Sequence, residues 1–162
     1  METKKILLID DEKDFIEALS ILLNHAGYEI HKAYSGSEGF LKVQEVNPDL
    51  IILDVNMENE NAGFDLNRKI RSNRDFSEIP IIMLTGIETY AISSQILEMY
   101  NTMVENQESG LPKILRIGTN DDEIGVQYID DNGKPYYLPL DCFVPKINSE
   151  DILIKEIKRL IG

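Results

Sequence analysis

The sequence contains only one cysteine, Cys142, among its 162 residues. A single cysteine cannot form a disulfide within the chain, which excludes the disulfide framework typical of small secreted domains. We interpret Cys142, which lies beside a predicted strand, as a small buried apolar residue in a reducing environment. The N-terminus also lacks a signal-peptide pattern, because its first apolar run is short and ends in acidic residues. We therefore expect a cytoplasmic protein.

Basic residues and long apolar runs are also scarce. The chain has 16 Lys and Arg residues against 29 Asp and Glu residues, which gives a formal net charge of −13. Because such a surface repels phosphate backbones and anionic lipids, we expect no nucleic acid and no membrane among its main partners. No apolar stretch approaches the length of a transmembrane helix. These features favour an acidic domain that binds other proteins or a metal ion.

The chain does contain a regular alternation of short apolar runs and helical periods. The apolar runs occupy residues 6–9, 50–53, 79–84 and 143–145. After the first run, Phe15, Leu19 and Leu22 recur at the spacing of an amphipathic helix, and Gly27 stands where a helix-ending glycine is expected. A second strand is predicted at residues 28–34, and further helices at 35–46, around 66–70 and from about 148. This alternation predicts an α/β fold with a parallel sheet.

Polar side chains stand directly after the apolar runs. Asp10 and Asp11 follow the first run, Asp54 follows the second, Thr85 the third and Lys146 the last. In open parallel sheets, ligands bind at the carboxyl ends of the strands, near the point where strand order reverses. The sequence therefore predicts that three carboxylates, a hydroxyl and an ammonium group meet at one edge of one sheet.

Clustered carboxylates repel each other, and a divalent cation removes that cost. Magnesium prefers hard oxygen ligands and often takes one or two carboxylates together with a phosphate oxygen. Asp10 and Asp11 can share the metal, which leaves Asp54 as the candidate nucleophile for a phosphoryl group. Asn56 can offer its backbone carbonyl to the metal, and its side chain could position a water. Taken singly, Asp11 could equally be a helix N-cap.

These residues resemble the receiver domain of response regulators in two-component signalling. The resemblance covers residues 4–86 and 141–161 and rests on Ile6-Leu7-Leu8-Ile9-Asp10-Asp11-Glu12, Asp54-Val55-Asn56-Met57, Gly63, Thr85-Gly86 and Lys146. It implies a flavodoxin-like, doubly wound sheet of five parallel strands in the order 2-1-3-4-5. It also implies transfer of a phosphoryl group from a histidine-kinase phosphohistidine onto Asp54, with slow hydrolysis afterwards.

The resemblance also implies a role for each remaining site residue. Asp10, Asp11 and Asp54 would bind Mg2+, together with the backbone carbonyl of Asn56. The hydroxyl of Thr85 would reorient toward the phosphate, and Lys146 would contact it. Phe143 falls where the family carries its rotameric switch aromatic, although a plain core ring is an equal interpretation.

Two positions near the site depart from the family pattern. Glu58 stands where the family usually has a proline, and the loop to Gly63 looks one residue longer, so kinase docking or dephosphorylation is expected to differ. Ile147 follows Lys146, whereas the family usually has a proline there in the cis form. Because a non-proline cis bond costs about 3 kcal/mol, we predict a trans bond or visible strain, with some displacement of Lys146.

A third departure is an expansion of roughly forty residues between Thr85 and Lys146, a length that is uncommon for an unstructured loop. A helix is predicted over about 88–105, and strand-like segments at 113–117, 125–129 and 136–140. Asp131-Asn132-Gly133-Lys134 predicts a hairpin turn between the last two. We therefore expect one receiver domain over residues 1–162, with a helix and hairpin insertion at 88–140. This insertion is either a protein-binding element or a stabilising addition.

The leading functional interpretation is a stand-alone phosphorylatable receiver in a phosphorelay, with no output domain after the last helix. Its expected partners are a sensor histidine kinase or phosphotransfer protein and a downstream protein, with a homodimer left open. The alternative is a receiver-like adaptor that binds partners without phosphorylation. A phosphatase or flavin-binding protein fits less well, since Asp54-Val55-Asn56 has an amide at the third place and acids follow the first strand.

Overall fold

A computed structural model of the protein describes residues 2–59, 62–86, 124–129, 132, 134–146 and 150–162. The chain divides into two compact units, Met1–Ile87 with Cys142–Gly162, and Glu88–Asp141. The helix predicted at 88–105 and the strand predicted at 113–117 lie outside the described residues. So does the Lys146–Ile147 peptide bond, whose trans geometry stays a prediction.

The secondary structure alternates strand and helix through the first half of the chain. The strands are β1 Lys5–Ile9, β2 Glu29–Ala33, β3 Leu50–Asp54, β4 Ile81–Thr85, β5 Ile124–Ile129, β6 Pro135–Leu140 and β7 Cys142–Pro145. The helices with described residues are α1 Lys13–His25, α2 Gly36–Val46, α3 Ala62–Arg71 and, as α4 here, Glu150–Ile161. Among the described residues, no helix is long and apolar enough to cross a membrane.

The first unit contains one five-stranded sheet in the order β2-β1-β3-β4-β7. All four strand pairs are parallel, and the register joins Ile9 to Leu53 and Leu84 to Val144. Since β7 is the strand that the sequence predicted as the fifth of the sheet, the predicted order 2-1-3-4-5 and flavodoxin-like fold are confirmed. Strand order reverses between β1 and β3, so the carboxyl ends of these two strands flank the expected binding crevice.

The central strands β1, β3 and β4 are buried on both faces because they are almost entirely apolar. One face packs against α1 and α4 in a cluster of Ile6, Leu8, Ile16, Leu19, Leu23, Leu50, Ile52, Ile82, Leu84, Cys142, Val144, Leu153 and Ile157. On the other face, the side chains of Ile9 on β1 and Leu66 on α3 both approach Gly39 of α2. Continuous Ile, Leu and Val runs in the central strands follow from this two-sided burial.

The helix ends agree with the predictions at most positions. Gly27 follows the α1 C-cap with a φ of +95°, a conformation that glycine adopts without strain. Ser35 caps α2, and its hydroxyl accepts a hydrogen bond from the Glu38 N–H at 3.1 Å. The loop after β3 was predicted to extend to Gly63. This boundary was wrong, because α3 begins at Ala62. Without a side chain at 63, the start of the helix can lie directly on the end of β3.

In the second unit, β5 and β6 pair antiparallel, with Ile124 opposite Leu140 and Ile129 opposite Pro135. The predicted hairpin is therefore confirmed. Asn132 lies in a turn between the two strands. The Lys134 ammonium group lies 5.1 Å from the centre of the Tyr136 ring, a cation–π contact at the start of β6.

Arg71 forms hydrogen bonds with the connection between α3 and β4, and its substitution should lower the free energy of unfolding. Its Nη1 donates to the carbonyls of Ser77 at 2.7 Å and Ile79 at 2.6 Å. Arg71→Met leaves these carbonyls without a charged donor, so we expect the free energy of unfolding to fall by about 2 kcal/mol in urea denaturation. Arg74→Met, at an exposed position on the same connection, is the control and should change stability by less than about 0.5 kcal/mol. Equal effects of the two variants would contradict this role for Arg71.

Candidate functional site

Three carboxylates meet at the carboxyl end of the sheet. Asp10 directly follows β1 and Asp54 ends β3, and these neighbouring strands hold the two residues side by side. Carboxylate oxygens of Asp10, Asp11 and Asp54 all lie within 4.8 Å of one another. Asp10 and Asp54 are buried, with 2% and 4% exposure, whereas Asp11 is exposed. The cluster therefore has a buried base and an opening to water.

The Lys146 side chain enters this cluster from the end of β7. Its ammonium nitrogen lies 2.7 Å from Asp10 Oδ2 and 3.7 Å from Asp54 Oδ2. The side chain is only 8% exposed, and its nitrogen also lies 4.6 Å from the centre of the Phe15 ring on α1. The predicted convergence of Lys146 with the acidic residues is present, although its nitrogen is closer to Asp10 than to Asp54.

Glu12 is a further member of the site to which the sequence interpretation gave no role. Lys146 Nζ donates to Glu12 Oε1 at 2.7 Å, and the Glu12 N–H donates to Asp10 Oδ1 at 2.9 Å. Glu12 is also the N-cap residue of α1, and its side chain makes no capping hydrogen bond. Asp11 is therefore not the N-cap, which removes the capping interpretation. The sequence could have indicated Glu12, because it is an acidic residue two positions after Asp10 and directly before the first predicted helix.

Burial and mutual repulsion change the protonation of the buried acids. Burial, followed by the charge of Asp10, raises the pKa of Asp54 to about 7. Burial also raises the pKa of Asp10, and the interaction with Lys146 offsets this only in part. Burial by itself would lower the pKa of Lys146, but its interactions with the Asp10 and Glu12 carboxylates outweigh this, so the pKa is raised. The Lys146 ammonium group therefore supplies a positive charge that partly balances the carboxylates of the site.

Backbone hydrogen bonds hold the strand end that carries Asp54. The Val55 N–H donates to the Leu84 carbonyl, and the Gly63 N–H donates to the Val55 carbonyl, both at 2.9 Å. A Cβ atom at Gly63 would overlap the Asp54 carbonyl oxygen and would lie 2.8 Å from Val55 Cα. Glycine at 63 is therefore required by a close approach of two backbone segments beneath the candidate nucleophile.

The remaining predicted residues lie on β4, on β7 and just beyond β3. Thr85 is the last residue of β4, in register with Pro145 on β7. Phe143 lies on β7, partly buried and in register with Met83. Asn56 is exposed, two residues beyond the end of β3. The roles predicted for Thr85, Phe143 and Asn56 stay predictions.

The acidic cluster fits a magnesium ion. Three carboxylates supply hard oxygen ligands, and the exposure of Asp11 leaves room for the waters that Mg2+ retains. Within the part of the chain that the structure describes, no donor is aligned for a hydrogen bond with the buried Asp10 Oδ2, despite the proximity of Lys146 Nζ. This oxygen is paired with the Lys146 ammonium group, and a metal cation would take the place of that positive charge. Asp10, Asp11 and Asp54 would hold the ion.

A doubly wound sheet in this strand order, with three aspartates and a lysine at its carboxyl edge, is typical of a receiver-type domain. The chain belongs to the response regulator receiver domain family, whose sequence pattern matches residues 6–115. The family assignment made from the sequence is thereby confirmed, and this is a receiver domain of two-component signalling.

Relatives of known sequence and structure are consistent with this family. The DNA-binding dual master transcriptional regulator RpaA of Synechocystis is 34% identical over 83 residues, which are 51% of this chain and 34% of that protein. The chain thus matches about a third of that relative's length. A response regulator from Chloroflexus aurantiacus superposes with a TM-score of 0.64 at 20% identity, covering 99% of this chain and 98% of the other.

A second structural relative was determined with a metal and a phosphoryl analogue. This protein, the response regulator TrrA of Thermotoga maritima in complex with Mg(2+)-BeF, superposes with a TM-score of 0.61 at 25% identity. The superposition covers 98% of this chain and 99% of TrrA. The chemotaxis response regulator CheY4 of Vibrio cholerae has a TM-score of 0.63 at 23% identity, with 98% and 99% coverage.

Proposed function

We propose that the protein accepts a phosphoryl group on Asp54 in a magnesium-dependent reaction and signals through contacts with other proteins. The observation that carries this proposal is the geometry of one cluster. A buried aspartate with a pKa near 7 lies beside a second buried aspartate, an exposed one and a buried lysine. A site of this kind concentrates negative charge around a nucleophile and supplies a cation for the charge that arrives with a phosphoryl group.

The proposed reaction assigns a task to each side chain. The ionised Asp54 carboxylate attacks the phosphorus of a phosphohistidine, so an O–P bond forms while the P–N bond breaks and the imidazole leaves with its electron pair. The product on this chain is an acyl phosphate. Bound Mg2+ would supply charge neutralisation between the Asp54 carboxylate and the phosphoryl oxygens. Lys146 would pair with a phosphoryl oxygen, and Thr85 would donate its hydroxyl.

The partners follow from the same chemistry. Receiver domains of this family interact with histidine kinases or phosphotransfer proteins, and we propose one of these as the phosphodonor. We propose residues 88–140 as a binding element for a downstream protein. A cytoplasmic location and a phosphorelay role are part of this proposal.

The test is incorporation of a phosphoryl group from a small phosphodonor such as acetyl phosphate, measured by intact-mass spectrometry with Mg2+ present. We expect a mass gain of one phosphoryl group in the wild-type chain and a complete loss of that gain in Asp54→Asn. Asp75→Asn, which changes an exposed carboxylate between α3 and β4, should keep the full gain. Chelation of divalent ions by EDTA should abolish incorporation in the wild type.

Two outcomes would overturn the proposal. A mass gain that persists in Asp54→Asn would place the phosphoryl group on another residue. No gain in the folded wild-type chain, with Mg2+ present and a known receiver domain phosphorylated in parallel, would favour a receiver-like adaptor that binds its partners without phosphorylation.

A further inference from the structure

The Glu58 side chain connects the segment that follows Asp54 to the N-terminus of α2. Glu58 Oε1 accepts a hydrogen bond from the Gly36 N–H at 2.6 Å. Gly36 is the first residue of α2, and its N–H has no acceptor within its own helix. Because a helix N-terminus carries a partial positive charge, it favours the Glu58 carboxylate. The contact joins residues 22 positions apart in sequence.

The neighbouring donors at this helix end have acceptors of their own. The Glu38 N–H donates to Ser35 Oγ at 3.1 Å, and the Tyr34 N–H donates to Glu38 Oε2 at 2.9 Å. The N-cap Ser35 thus satisfies the Glu38 N–H, and the Glu38 side chain reaches back past Ser35 to the Tyr34 N–H. Glu58 therefore adds a third acceptor to a helix end that is already capped, so α2 does not depend on Glu58 for its start.

The other end of the contact lies in the segment Val55 to Asn59, which leads from the candidate nucleophile toward α3. Val55 is held by the hydrogen bonds of its own N–H and carbonyl with Leu84 and Gly63. Beyond Val55, the Met57 N–H donates to the Asn59 carbonyl at 3.3 Å, a bond within the segment itself. The Asn59 carbonyl also accepts a hydrogen bond from the Ala62 N–H of α3 at 3.3 Å, and the Glu58 side chain adds a connection to α2. Asn56 lies between Val55 and Glu58.

We propose that Glu58 is a positioning residue for the metal site. By holding the segment after Asp54 against α2, the Glu58–Gly36 hydrogen bond orders Asn56, whose backbone carbonyl is the proposed fourth protein ligand of Mg2+. This inference rests on the function proposed above. Without the restraint, the segment must be ordered when the ion binds, and the conformational entropy lost in that step weakens binding.

Glutamate has no ring that would limit the freedom of its own backbone, so the hydrogen bond to the N-terminus of α2 is the restraint that its side chain supplies to this segment. The bond also holds the Glu58 charge at the N-terminus of α2.

The experiment measures Mg2+ binding by titration calorimetry and amide hydrogen exchange in EDTA, on the full chain. Glu58→Ala removes the acceptor, and Gly36→Pro removes the donor while the Glu58 charge stays. Proline is well tolerated at the first position of a helix, and the extended Ser35, with φ of −156° and ψ of 165°, is compatible with a following proline. Gly36→Ala keeps the donor, and its Cβ would meet nothing closer than 3.6 Å, so it is the matched control.

We expect Glu58→Ala and Gly36→Pro each to weaken Mg2+ binding about tenfold, the effect typical of residues that orient metal ligands. The double variant should be no weaker than either single variant, because both remove the same bond. In EDTA, the Met57 and Asn59 amides should exchange faster in both single variants than in the wild type. Gly36→Ala should match the wild type in affinity and exchange.

Several results would overturn the inference. Affinity within twofold of wild type in either single variant, or additive losses in the double variant, would remove the hydrogen bond as the cause. Unchanged exchange at residues 57–59 would show that the segment needs no such restraint. A folded wild-type chain that binds no Mg2+ would instead overturn the proposed function itself, and with it the role assigned to Glu58, whereas the exchange in EDTA would still report on the bond.

Discussion

Gly63→Ala is expected to lower the free energy of unfolding by about 3 kcal/mol or more, a large fraction of the stability of a domain of this size. The added methyl group would overlap the Asp54 carbonyl oxygen and would lie 2.8 Å from Val55 Cα. These neighbours are backbone atoms of a central strand, so no change of side-chain rotamer can make room. The start of α3 would have to move away from β3, which would break the Gly63–Val55 hydrogen bond.

Urea denaturation followed by circular dichroism measures this effect. The matched control is Gly36→Ala at the start of α2, where the new Cβ would make only ordinary contacts at 3.6 Å and beyond. That variant should be neutral or more stable by up to about 1 kcal/mol, since alanine has fewer unfolded conformations than glycine. A loss below about 1 kcal/mol in Gly63→Ala would mean that α3 can shift without strain, contrary to our account.

The displacement of α3 in Gly63→Ala should also weaken metal binding at the acidic cluster. Because Gly63 lies on the Asp54 carbonyl, any folded Gly63→Ala protein should bind Mg2+ more weakly than wild type. A folded variant with unchanged Mg2+ affinity would show that the position of Asp54 is independent of α3.

Asp54→Asn is expected to raise the free energy of unfolding by on the order of 2–4 kcal/mol at pH 8 in the absence of divalent ions. Burial and the charge of Asp10 raise the pKa of Asp54 in the folded protein to about 7, compared with an ordinary value of 3.8. Ionised Asp54 therefore opposes folding, and an uncharged amide of the same shape removes this cost. Asp54, the proposed phosphoryl acceptor, thus lowers the free energy of unfolding of the protein when no divalent ion is bound.

The effect of Asp54 on the free energy of unfolding depends on pH. Between pH 3.8 and about 7, the unfolded chain has released the Asp54 proton while the folded chain retains it. The contribution of Asp54 to stability therefore falls as pH rises through this range, and it stays low above pH 7. The stability difference between Asp54→Asn and wild type should accordingly be largest above pH 7 and should vanish near pH 4.

Chemical denaturation at a series of pH values, with EDTA, measures this difference. Added Mg2+ should stabilise the wild type more than the variant, because the ion neutralises the carboxylate that the variant lacks. Asp75→Asn, an exposed substitution of the same kind, should show no such pH-dependent gain. An Asp54→Asn protein that is equally or less stable than wild type at pH 8 would contradict the pKa assigned to Asp54.

The fold could be predicted from the sequence because its determinants are local. Buried parallel strands require continuous apolar runs, and the runs at Leu50–Asp54 and Ile81–Thr85 appear in the sequence as such. Ser35 and Gly27 marked helix ends through their own conformational preferences. Since strands of one parallel sheet share a direction, the residues that follow them had to meet at one edge.

The contacts within the site could not be predicted in the same way. Glu12 was adjacent to two obvious acids, but its contact with Lys146 joins residues 134 positions apart and depends on how β7 and α1 approach each other. The extent of α3 was also missed, because the requirement for glycine at 63 comes from the Asp54 and Val55 backbone and not from its own neighbours in sequence.

The sequence by itself therefore determined the class of fold and the identity of the acids at the strand ends, because alternation and apolar length are properties of short segments. The strand order came from the resemblance to the receiver family. Only the tertiary structure decided how the charges are arranged. It placed Lys146 closer to Asp10 than to Asp54, raised the pKa of Asp54 through burial, and brought Glu58 to the start of α2. Those outcomes depend on distances between segments that are remote in sequence, which the packing of the elements sets.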